Sequence, residues 1–200
     1  WGAVDPQAAL DWAESLPAGT GQNSALAAAM GQLAVADPQT AFNDAAQLPD
    51  ASRNAAMGKV ISSWSSSQPA QAAAALADLS PGSEATSATS AVAKNWLNDD
   101  PTAASQWITT LPQGDARDAA VVQLVNKVGY NDPSTAFTWA NSIGQTSTRN
   151  TQVVQLAKQW AQDNPAAAAA AVQGIIGNLT GLTSDQQTAL RNVANQTKNP

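Results

Sequence analysis

At 200 residues the chain is long enough for one domain or two small ones, and with only 12% charged residues and a formal net charge of −6 it must cover much of its surface with Ser, Thr, Asn, Gln and Ala. Nine scattered Lys and Arg make no basic patch, which argues against a phosphate-backbone partner, and no run of 18 apolar residues exists to span a bilayer. With neither Cys nor His, the chain lacks disulfides, thiolate metal sites, thiol catalysis, the usual general base and the commonest zinc ligand.

The chain is organised by an internal repeat. Pro6, Pro38, Pro69, Pro101, Pro133 and Pro165 stand 31 or 32 residues apart, preceded by Asp5, Asp37, Gln68, Asp100, Asp132 and Asn164. Asx followed by Pro starts a helix, because the side-chain oxygen accepts from an orphan N–H and proline's fixed φ suits the first helical position. Each such pair therefore opens a helix A. Alanine follows three residues later every time (Ala9, Ala41, Ala72, Ala104, Ala136, Ala168), with apolar residues seven and ten positions on, such as Ile108 and Leu111. Offsets of 3, 7 and 10 form one stripe, and the small residue marks where neighbouring helices cross.

Helix A ends at turn sequences such as "LPAG", "LSPG" and "LPQG". Helix B then runs to the next Asx-Pro, with Leu33, Trp64, Trp96, Val128 or Trp160 five residues before that proline and Ala29, Val60, Val92, Leu124 or Leu156 nine before it. Positions four apart share a helix face. Trp1 holds the same place relative to Pro6, so the chain opens on the tail of a helix B. A hairpin of about 32 residues cannot bury both its faces alone, whereas stacked hairpins bury a continuous core. The expectation is an all-α fold, a single α-solenoid domain over residues 1–200, with about six helix-turn-helix repeats starting near residues 5, 37, 68, 100, 132 and 164.

The run Pro-x-x-Ala-x-x-Trp in the first, fourth and fifth repeats resembles the junction of tetratricopeptide repeats. The fuller pattern Trp-x4-Asp-Pro-x-x-Ala…Leu-Pro-x-Gly is similar to TPR-like repeats of large bacterial secreted or membrane-anchored proteins. The period departs from the 34 residues of the tetratricopeptide helix pair, and its Leu-Gly and Tyr positions are unmatched. What the resemblance implies is a superhelix, with an interaction or scaffold role.

Nothing in the chain reads as catalytic, metal-binding or cofactor-binding. Asp5, Asp37, Asp100 and Asp132 recur like a calcium ladder, but helix capping accounts for each, and the dense Asp/Asn/Gly spacing of a calcium loop is missing. The many Ser and Thr have no base to activate them. Arg53, Arg117 and Arg149 recur near the start of helix B and are candidate edge contacts for a partner, against the plainer reading of local ion pairs. Asn178 and Asn195 each begin an Asn-x-Thr sequon.

Two functions remain. The first is a structural protein that self-associates head to tail into a filament or surface assembly, with copies of itself as partners. Its interface would draw on Trp1, Pro6, Leu10 and Trp12 at one end, and on Leu190, Val193, Asn199 and Pro200 at the other. The second is a TPR-like scaffold that holds a peptide or partner domain; the half-polar last helix, with Asn195 where other repeats place Trp, favours it. A start at Trp1 rather than Met fits removal of a signal peptide, hence an extracellular or cell-surface location.

Overall fold

A computed structural model describes residues 5–196, which contain twelve α-helices and no strand. In chain order they are α1 (Pro6–Ser15), α2 (Thr20–Ala36), α3 (Pro38–Ala46), α4 (Asp50–Trp64), α5 (Pro69–Ala75), α6 (Ser83–Asp99), α7 (Pro101–Thr110), α8 (Asp115–Val128), α9 (Pro133–Asn141), α10 (Thr146–Asp163), α11 (Pro165–Ile175) and α12 (Ser184–Ala194). The fold is all-α, and every odd-numbered helix opens on one of the six spaced prolines.

The residue before each proline is extended, and its side chain caps the helix where it is short enough. Asp5, Asp37, Asp132 and Asn164 each accept from the N–H three residues on, at 2.9–3.1 Å. Asp100 accepts from both Thr102 and Ala103 at 3.0 Å. Gln68 makes no such bond, and α5 is the shortest helix, passing into a 3-10 turn over Leu76–Asp78. At the start of helix B, Gly19, Gly82 and Gly114 hold φ of 154°, 158° and 148° just before α2, α6 and α8, a region reserved for glycine.

The helices gather into two compact units that part between Thr110 and Leu111, in the turn separating α7 from α8. The fourth proline-led helix belongs to the first unit and its helix B to the second. In the first unit α4 packs on both α2 and α6, and α1, α3, α5 and α7 lie against these longer helices. In the second, α9 packs on α8 and α10, and α11 and α12 pack on α10 and on each other.

The repeated alanines lie inside, with Ala72, Ala104, Ala136 and Ala168 at 0% exposure. Larger side chains complete the core: Val60, Ile61, Val92, Leu97 and Ile108 in the first unit, and Val121, Leu124, Val153, Val172 and Leu190 in the second. Each contributes roughly 1.5–3 kcal/mol on burial. Alanine contributes less through its own area, so the seams depend on close helix approach. A Cβ on Gly31 of α2 would lie 3.4 Å from Lys59 Cβ of α4, and one on Gly58 of α4 would lie 3.4 Å from Glu84 Cβ of α6. Aromatic pairs fill the helix ends: Phe42 with Trp64, Trp96 with Trp107, and Phe137 with Trp160, at centroid separations of 6.1, 5.5 and 6.0 Å.

Candidate functional site

The residues expected at the two ends have different surroundings. Trp12 is 50% exposed on α1, Pro6 is half-buried and Leu10 is buried. Leu190 and Val193 of α12 are buried at 0% and 4% exposure, while Asp185, Thr188, Arg191 and Asn192 of the same helix are exposed. Trp1, Asn199 and Pro200 lie outside the described residues.

The three arginines share a repeat position but not an environment. Arg53 is half-exposed, donating from Nε to the Leu48 carbonyl at 3.1 Å and pairing with Asp50 at 2.7 Å. Arg117 is buried at 8% exposure, and its guanidinium donates to the Ser142 carbonyl at 3.1 Å and to the Ser142 hydroxyl at 3.2 Å. Arg149 is half-buried, with its Nε enclosed and unpartnered.

Next to each arginine stands a residue that grips the turn of the following hairpin. Asn54 takes the Ser80 N–H at 3.0 Å. Asp118, only 6% exposed, accepts from Gly144 N–H at 3.0 Å and Gln145 N–H at 2.7 Å. Asn150, fully buried, donates to the Thr180 carbonyl at 2.9 Å. These neighbours thus join successive hairpins, and of the three arginines Arg117 does so as well. Sequence inspection singled out the arginines, with Asp118, which lies 3.9 Å from Arg117, as a charge partner, and missed Asn54 and Asn150 and the joining role of all three, although their similar offset from the prolines was visible.

Surface grooves in the first unit are open to a ligand, and two of them contrast in chemistry. One, of about 450 Å³, runs across α2, α4 and α6. Small and hydroxylated side chains line it (Ser24, Ala27, Ala55, Ser62), with Lys59 and Glu84 balancing in charge. The other, of about 410 Å³, lies between α3 and α5. Phe42 and Trp64, only 8% and 4% exposed, form its floor, and Gln39, Gln71, Ala74, Ala75 and Asp78 complete the lining. The Trp64 indole N–H is satisfied by Gln68 at 3.1 Å, so the floor presents apolar edges. The Asp78 carboxylate is exposed and takes no hydrogen bond or ion pair among the described residues.

Groups of three or more carboxylates, His or Cys suited to hold a metal ion do not occur among the described residues, and no described helix is long and apolar enough to cross a membrane. No protein-family model, curated protein or solved structure matches the chain. The α3–α5 groove offers small apolar surface beside side-chain amides and a carboxylate, groups suited to contact and hydrogen bonding rather than to bond-making chemistry.

Proposed function

We propose that the chain is a non-enzymatic, TPR-like α-solenoid of six helix-turn-helix repeats that serves as an interaction scaffold for a peptide or a partner domain. The observation that carries this reading is the face of α12. Its apolar residues Leu190 and Val193 are covered, and its outward residues are polar. An end-on contact between copies would need an apolar tail face there, and a polar one is what a capping repeat presents. The surface left for a partner is then the set of grooves along the hairpins.

The second reading is head-to-tail self-association into a filament, favoured by Trp12, half-exposed on the first described helix, and by the low surface charge. Sedimentation velocity across a concentration series separates the two. The scaffold reading expects one species of monomer size throughout. Concentration-dependent growth that a Trp12→Asp substitution abolishes would overturn it in favour of self-assembly.

A further inference from the structure

Charge is divided unevenly between the two units. Residues 1–110 hold ten acidic and three basic side chains, for a net −7, and residues 111–200 hold five and six, for +1. Within the first unit the division is sharper still. Its three cations, Arg53, Lys59 and Lys94, all lie on α4 and α6, whereas α1, α3, α5 and α7 carry no Lys or Arg. Asp11, Glu14, Asp44 and Asp78, all exposed, lie on these proline-led helices or on the 3-10 turn after α5. The groove between α3 and α5 opens on this cation-free side.

We infer that this groove takes a cationic segment of another protein, with the stem of a Lys or Arg side chain laid along the groove and its charge set beside Asp78. This deepens the scaffold reading and rests on it. Three features of the groove agree on that chemistry. Exposed Ala74, with the small uncovered parts of Phe42 and Trp64, gives the alkyl stem of a long cationic side chain an apolar surface. Asp78 supplies a carboxylate with no partner of its own. Gln39 of α3 and Gln71 of α5 carry amides that can pair with the backbone of an extended chain. The net −7 of the surrounding unit steers a cation toward the groove and repels an anion. The groove across α2, α4 and α6 has no such preference, since Lys59 and Glu84 oppose one another there.

The test uses a fluorescein-labelled peptide of alternating lysine and leucine, a matched glutamate and leucine peptide, and the whole chain as wild type, Asp78→Lys and Asp44→Lys. Asp44 is exposed on α3 outside the groove lining, so its substitution makes the same change in net charge. The expected result by fluorescence anisotropy is binding of the lysine peptide alone, weakened about tenfold or more by Asp78→Lys and no more than about threefold by Asp44→Lys. Peptide-induced amide shifts should centre on Phe42, Gln71 and Ala74. Equal losses in the two variants would show attraction to net charge alone and overturn the inference. So would binding of the glutamate peptide, no binding of either, or shifts confined to the α2–α4–α6 groove. In that last case the scaffold reading survives while the α3–α5 assignment fails. Occupation of the groove by a second copy, seen as Asp78-dependent self-association, would overturn both.

Discussion

Asp118→Ala is the substitution that most directly examines how one hairpin is held to the next. The Asp118 carboxylate is buried and accepts two backbone N–H groups, Gly144 at 3.0 Å and Gln145 at 2.7 Å, at the start of a helix that has no side-chain cap of its own. Hydrogen bonds to a charged group contribute roughly 1.5–3 kcal/mol each, so losing both costs at least about 3 kcal/mol. For a unit of this size that lowers the melting temperature by about 12 °C or more. Thermal unfolding followed by circular dichroism measures the shift, and hydrogen exchange localises it, with the Gly144 and Gln145 amides losing protection by roughly a hundredfold. Asp118→Asn, which keeps one acceptor and turns a donor toward the other N–H, should recover half the loss at most. A melting temperature within about 3 °C of wild type for Asp118→Ala would refute the reasoning, since it would mean that water replaces the carboxylate freely.

Gly181→Ala should destabilise by roughly 1–3 kcal/mol: Gly181 sits at φ +68°, and a Cβ there would lie 2.9 Å from Thr146 Cγ2, so chemical denaturation should show a lowered midpoint. Leu190→Ala should cost about 2–5 kcal/mol by the same assay, because Leu190 is fully enclosed; a near-neutral result would mean that its side chain is surface material. Hydrogen bonds from Thr40, first its hydroxyl and then its N–H, hold the Asp37 carboxyl below its ordinary 3.8, and Thr135 does the same for Asp132. With both folded values lowered, the stability these caps lend is fully present above 3.8 and is lost as pH falls through the folded values. An Asp37→Asn, Asp132→Asn double variant, which still caps, should therefore lose less melting temperature than wild type on acidification below that point.

Among these outcomes, those at the caps were foreseeable from local chemistry. Asp or Asn before proline satisfies an orphan N–H within three residues, whatever the rest of the chain does, so five capped helix starts, a sixth led by proline alone, and the all-α class were legible in the sequence. The weak start at Gln68 was equally local: an extra methylene carries its amide away from the N–H groups, and α5 is correspondingly short. The stripe of alanines was readable as a buried seam because helical period and repeat period both place it on one face, whereas among the described tryptophans Trp64 alone is buried and Trp12 is half-exposed.

Contacts between hairpins depend on more than the repeat position. Arg53, Arg117 and Arg149 occupy equivalent places, yet one pairs with its own helix, one is buried on Ser142 and one has an enclosed Nε without a partner. What differs is the turn that each meets, and that turn belongs to a segment about 25–30 residues away. The groove between α3 and α5 was hidden for the same reason. Its floor takes Phe42 and Trp64 from neighbouring helices and its carboxylate from the 3-10 turn that ends the next one. A pattern along the chain determines which face of each helix is apolar. Only packing decides which side chains of successive helices converge, and therefore where the surface is left open with an unpaired charge at its edge.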